Sequence, residues 1–244
     1  MSLLDEVLEA HGGEARWRAA RTIRARVRSG GLLLATRAPR QLFNEYTITV
    51  RVDQPWAVLE PAVRRERAVF DHGRVRFENE AGEVISARDE PRSRFFGRSG
   101  LRRNLRWDVL DTAYFAGYAM WNYLTTPLLL TRDEVEVSEG EPWSRPGGET
   151  WRRLEARFGP GLDTHCPRQT FYAGPEGLLR RHDYTAEVIG RWAKGTHALA
   201  EHREFDGLVL PTRRRITPRG PADRALPGPI LVWIELDRIE VASG

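Results

Sequence analysis

Hydrophobic and polar positions alternate along most of this chain with a period of two. In "RTIRARVR" (21–28), Ile23, Ala25 and Val27 alternate with Arg24, Arg26 and Arg28, which predicts a strand with one dry and one wet face. "NEYTITVRV" (44–52) repeats the pattern: Tyr46, Ile48, Val50 and Val52 share one parity, Glu45, Thr47, Thr49 and Arg51 the other. "HGRVRFEN" (72–79) and "AGEVISAR" (81–88) follow, each entered through a turn, at His72-Gly73 and Ala81-Gly82. Beyond residue 132 come "EVEVS", "ETWRRLEARF", "RQTFYAGPEGLLRRHDYTAEVIG", "HALAEHREFDGLVLPTRRRI" and "PILVWIELDRIEV", with hairpin tips at "AGPEG" and Asp206-Gly207. The reading gives about ten or eleven strands. Arginine on one parity of strand after strand predicts an antiparallel sheet solvated on one side and covered on the other.

Three segments have a helical period instead. "LLDEVLEA" (3–10) groups Leu3, Leu4, Val7 and Leu8 on one side and stops at His11-Gly12-Gly13, and "EARWRAA" adds another turn or two. The third, "DVLDTAYFAGYAMWNYL" (108–124), is apolar nearly all round, the mark of a helix enclosed by protein. The run from Val109 to Leu130 has the length of a bilayer span but contains Asp111, Asn122, threonines and Pro127 and is flanked by strands. It is expected to lie in the concavity of the sheet, and no transmembrane span is expected. No repeat or low-complexity linker divides the chain, so residues 1–244 are expected to form a single domain, mainly β in an α+β arrangement.

Composition narrows the function. Thirty-eight basic residues, all arginine except Lys194, face 34 acidic ones for a net charge of +4. Basic clusters such as "PTRRRITPR" suit solvated strands and turns, and without a recognised module no nucleic-acid partner is expected. Cys166 is the only cysteine, which excludes an intrachain disulfide and a thiolate metal cluster. The acidic start "MSLLDEVLEAHGG" is unlike a signal peptide, so a cytoplasmic location is expected. No Walker loop, G-x-G-x-x-G, G-x-S-x-G or H-E-x-x-H occurs, and no cofactor is expected.

The candidate residues lie on the central helix and the later strands. Tyr114, Tyr118 and Trp121, at i, i+4 and i+7, share a helix face; with Asn122 and Trp233 they form the candidate ligand-binding set. The alternative is ordinary core packing. In "LLRRHDYTAEV", His182 and Tyr184 share parity with Leu178, Ala186 and Val188 and are expected to face inward, with Asp183 outward. His182, Tyr184 and Asp111 are the candidates for proton transfer on a bound substrate. A Cys/His nucleophile from His165-Cys166 is disfavoured, because neighbours on a strand point apart. His202 and Glu204 could share a metal, but no second ligand cluster accompanies them and no metal site is assigned.

"HGGEARWRAARTIRARVRSGG" (11–31), "EGLLRRHDY" (176–184) and "EFDGLVLPTRRRI" (204–216) resemble the opening helix, double glycine and first strand, and the late strand pair, of the bacterial lipoprotein-carrier superfamily with the LolA/LolB/LppX-like fold. The resemblance implies a strongly curved antiparallel half-barrel of about eleven strands wrapped around an N-terminal and a mid-chain helix. It also implies an apolar cup, and hence binding of a hydrophobic small molecule or acyl chain, with transient contact to a membrane. Two alternatives stay open: a cofactor-free cyclase or isomerase using the same cup, and a structural or partner-binding module with a filled core.

Overall fold

The computed structural model describes residues 1–39, 42–96, 106–144 and 148–243. Thirteen strands form one antiparallel sheet among the described residues: β1 (Ala20–Gly30), β2 (Glu45–Arg51), β3 (Trp56–Pro61), β4 (Arg67–Asp71), β5 (Arg74–Glu78), β6 (Val84–Arg88), β7 (Val135–Ser144), β8 (Thr150–Phe158), β9 (Arg168–Ala173), β10 (Leu179–Thr185), β11 (Lys194–Phe205), β12 (Leu208–Pro218) and β13 (Val232–Ser243). Among the described residues four α-helices accompany them: α1 (Leu3–Ala10), α2 (Glu14–Ala19), α3 (Leu32–Arg37) and α4 (Val109–Thr125).

The strand order is β6-β5-β4-β3-β2-β1-β13-β12-β11-β10-β9-β8-β7. The chain meanders from β1 to one edge at β6, crosses to the opposite edge at β7, and meanders back until β13 pairs with β1. The crossing carries α4, which packs on β2 to β5. The sheet is not closed and curves around that helix as a half-barrel.

Two strands and one helix exceed the expectation from periodicity. β3 and β4 were absent from the alternating pattern because β4 buries Ala68, Val69 and Phe70 in succession, and the sequence of β3, "WAVLEP", is almost continuously apolar. α3 is only six residues long and follows Gly30-Gly31.

The wet face matches its arginine pattern. Arg24 pairs with Glu60, Arg26 with Glu45, Arg28 with Glu235, and Arg213 with Glu201, all across strands and largely exposed. Each such pair contributes little, at most about 1 kcal/mol. The dry face buries Ile23, Ala25 and Val27 of β1 with Tyr46, Ile48 and Val50 of β2.

Capping defines both of the helices that matter most. Ser2 and Asp5 form a capping box on α1, and Asp108 and Asp111 form one on α4. Gly12, with φ of +108°, brings its backbone against Gly207 at the β11–β12 tip, so a Cβ has no room there. In α4, Gly117 lies so close to β4 that a Cβ would sit 2.5 Å from that of Phe70. This contact accounts for a glycine in a helix interior, where it costs about 1 kcal/mol relative to alanine. No described helix is long and apolar enough to cross a membrane.

Candidate functional site

The two sides of α4 do different work. On the side toward β2–β5, Tyr114 donates to Asp163 Oδ1 at 2.5 Å and Trp121 donates to the Arg51 carbonyl at 2.9 Å. Asn122 donates to the carbonyls of Tyr118 and Asp163, at 2.7 and 2.9 Å. The opposite stripe, Thr112, Phe115, Ala116, Ala119, Met120 and Tyr123, looks into open space under α3 and the β10–β13 part of the sheet. Alanine at 116 and 119 leaves that space unfilled.

Three cavities follow one another along this stripe. A slot of about 320 Å³ is walled by Leu33, Phe115, Ile189, Ile216 and Val232, with His165 and Tyr184 among its lining. A small space of about 50 Å³ shares Phe115, Tyr184, Ile216 and Val232 with it. It adjoins a cavity of about 360 Å³ bounded by Ser29, Leu34, Phe43 and Trp233. α3 roofs the series: Leu32 and Leu33 face the first, Leu34 the other two. The helix is tied down by hydrogen bonds from Leu32 N and Leu33 N to the carbonyls of Ile230 and Leu231.

The floor is polar yet almost uncharged. Tyr184 bonds Tyr123 (O–O 2.9 Å), Tyr123 bonds His165 Nε2 (2.7 Å), and His165 Nδ1 bonds Tyr118 (3.2 Å). One ordering of protons satisfies both ring nitrogens: Tyr184 donates to Tyr123, Tyr123 to Nε2, and Nδ1–H to Tyr118. His165 also stacks on Tyr184 at 4.0 Å. His182 stacks on Phe171 at 4.1 Å and bonds Gln169 Oε1 through Nε2 at 2.6 Å. His197 is fully buried, edge-on to Tyr123 at 4.6 Å, and among the described residues neither of its ring nitrogens has a hydrogen-bond partner.

Burial holds these histidines neutral. It lowers His165 to about 3 and puts His182 and His197 well below the ordinary imidazole value. It likewise raises Tyr123 to about 12 and Tyr184 well above the usual phenol. The charged member of the floor is Arg214, whose Nη2 donates to the Tyr123 carbonyl at 2.9 Å while its guanidinium lies 5.1 Å from the Tyr123 ring. Burial draws it down to about 10.

The candidate residues are therefore dispersed. His182 and Tyr184 do point inward, and Asp183 points to the other face, where it meets Arg181. The bulge between Leu179 and Arg181 breaks the parity at Leu178, so Leu179 enters the core in its place. Tyr184 lines the slot, whereas His182 lies behind it against Phe171. Asp111 is engaged by Arg88 at 2.6 Å beneath the start of α4, apart from the histidines. Of the five ligand-binding candidates, Trp233 borders the cavity of about 360 Å³ and Trp121 a separate one of about 230 Å³ near Trp17 and Leu128. Tyr114, Tyr118 and Asn122 are bonded within the core.

Sequence reasoning weighed His165 only as a partner of Cys166 and did not place it among the site residues, because it sits in a loop without periodicity; it also missed the Phe115–Tyr123 stripe. The small residues Ala116 and Ala119 were the available signal for that stripe. His202 lies beside His11, ring centres 5.9 Å apart, and no group of three or more potential metal ligands occurs among the described residues. Cys166 is buried, its thiol donating to the Arg168 carbonyl, with no contact to the His165 ring recorded among the described residues.

Among solved structures the chain is similar to a LolA superfamily protein of Nitrosomonas europaea. The TM-score is 0.55 and the identity 11%, over 99% of this chain and 92% of that one. It also aligns with a DUF1329 family protein of Desulfovibrio piger, with TM-score 0.44 and 13% identity over 98% and 91% of the two chains. No family profile and no curated protein matches the sequence. The fold is LolA-like, and the likeness is one of architecture.

Proposed function

We propose that this protein binds a hydrophobic small molecule or an acyl chain in the cup beneath α3. The observation that carries the reading is the slot of about 320 Å³ with walls of Leu33, Phe115, Ile189, Ile216 and Val232. A volume of that size is at the lower end of small-ligand sites, and each methylene buried there contributes about 0.8 kcal/mol. The LolA-like fold supports the same reading at the level of architecture. Loading from a membrane surface fits the rim, where Trp192 is 73% exposed and Leu32 48% exposed beside the slot.

Native mass spectrometry of the purified protein, followed by extraction and identification of any adduct, tests the proposal. An adduct should be present in the wild type and absent from Ala119→Phe plus Ile216→Trp, which fill the cup. An adduct that persists in the filled variant would move the binding site elsewhere.

A second reading, a cofactor-free cyclase or isomerase, draws on His165 and Tyr184 both bordering the slot. Tyr184 would be the proton donor, its hydroxyl turning from Tyr123 toward a substrate in the slot that it lines. His165 has both nitrogens engaged by tyrosines, which favours binding over chemistry.

A further inference from the structure

Resting on the reading of the cup as a binding site, we propose that its ligand is a single-chain amphiphile with an anionic head, held where Lys194 stands at the mouth of the slot. Among the described residues the charged side chains lining the slot are Arg37, Lys194 and Arg219, and none of the lining is acidic. In a chain whose bases and acids are nearly balanced, 38 to 34, an all-cationic lining departs from the average surface.

Arg219 and Lys194 differ in what already neutralises them. Arg219 is committed to Asp183 and Asp223, at 3.3 and 3.7 Å. Lys194, the single lysine of the chain, is exposed and has no carboxylate within ion-pair distance among the described residues. Its backbone is fixed at the start of β11: its N–H donates to the Trp192 carbonyl at 2.8 Å and its carbonyl accepts from Arg219 N at 2.9 Å. The four-carbon stem can therefore carry the ammonium to a head group without moving the sheet.

The depth of the slot has the opposite character. Phe115, Ile216 and Val232 lead to Tyr184 and His165, whose polar atoms are bonded to Tyr123 and Tyr118. A molecule matching both ends has a chain directed inward and a charge left at the mouth. A carboxylate or a phosphate meets that requirement, through charge-assisted hydrogen bonds to Lys194.

Calorimetric titration with decanoate, decyl phosphate, decanol and decylamine tests the proposal, on the wild type, Lys194→Glu and Lys194→Arg. Decanoate or decyl phosphate should bind the wild type at least ~10-fold more tightly than decanol, and decylamine more weakly than decanol. Lys194→Glu should abolish the preference, and Lys194→Arg should retain it. The tighter of the two anions identifies a carboxylate or phosphate head. Equal affinity for decanol and both anions on the wild type would overturn the head-group proposal and leave the cup reading standing. Binding of none of the four would remove the cup reading itself, and this proposal with it.

Discussion

Arg181 and Arg214 are both buried in the later half of the sheet, on opposite faces, and the structure treats them in opposite ways. Arg181 faces outward on β10 and is stacked between Trp143 and Tyr172, at 4.7 and 4.6 Å. It grips Asp183 with two hydrogen bonds, Nε–Oδ1 at 2.8 Å and Nη2–Oδ2 at 2.6 Å. Arg214 faces inward on β12, and among the described residues it forms no ion pair with a carboxylate and its Nε has no hydrogen-bond partner. The outer face thus buries charge in compensated pairs, a structural device. The inner face keeps one positive charge among neutral tyrosines and histidines, beneath cavities that Tyr123 and Tyr184 line. A charge held without a counter-ion costs stability, and burial accordingly draws Arg214 down to about 10.

The largest expected effect tests that contrast directly. Asp183→Leu strands Arg181 in its aromatic sandwich and should cost about 3–5 kcal/mol. Arg214→Met removes an uncompensated charge together with one hydrogen bond and should change stability by less than about 1 kcal/mol, in either direction. Urea unfolding of the two variants measures both. If Arg214→Met costs as much as Asp183→Leu, the inner arginine is a structural element like the outer one and the contrast fails.

Acid titration sharpens the comparison on the inner side. His165 and His11 have folded values of about 3 and 4, against 6.5 ordinarily, with burial the first cause in each. Below 6.5 the unfolded chain takes up protons that the folded chain refuses. The stability these residues contribute is therefore complete above pH 6.5 and is lost as the pH falls toward 4 and then 3. The loss between pH 6.5 and 4 should be about 5 kcal/mol from these two residues, visible as a falling urea midpoint. After burial, Arg214 is a further cause of the depressed values of His182 and His197. Arg214→Met should therefore make the acid loss shallower. An unchanged acid profile in that variant would show that Arg214 and the histidines do not share one field.

The same two faces mark what the sequence could and could not reveal. Period-2 alternation made most of the strands legible, because in a half-solvated antiparallel sheet the side-chain period is the burial period. It also put His182 and Tyr184 inside and Asp183 outside, as observed. It failed at β4, where Ala68, Val69 and Phe70 are consecutively buried, and at Leu178, where a bulge shifts the parity. The outward side of β10 was expected to be wet, yet Arg181 is 4% exposed, covered by Trp143, Tyr172 and Arg219. Tertiary cover of that kind leaves no local trace. In α4 the difficulty was the reverse: Tyr114, Tyr118 and Trp121 form as apolar a stripe as Phe115, Ala119 and Tyr123. A helix buried all round does not reveal which side faces a cavity.

The smallest expected effects come from a pair of tyrosines, one for each face. Tyr172 donates to Asp183 Oδ2 at 3.2 Å on the outside, and Tyr184 bonds Tyr123 at 2.9 Å on the inside. Removing either hydroxyl with phenylalanine should cost about 1 kcal/mol of stability, since both phenols lose one buried hydrogen bond. Ligand binding should separate the two variants. Tyr172→Phe leaves the cup untouched. Tyr184→Phe alters its wall, but only by exchanging a phenol for a ring of the same shape, so the affinity for an alkyl chain should stay within about 2-fold, given that apolar burial scales with area. Under the catalytic reading, the same substitution removes the proton donor and should slow turnover of the extracted ligand by about 10²–10⁴-fold. Parallel calorimetry and turnover assays on these two variants therefore decide whether the inner hydroxyls organise the floor of a binding cup or perform chemistry above it.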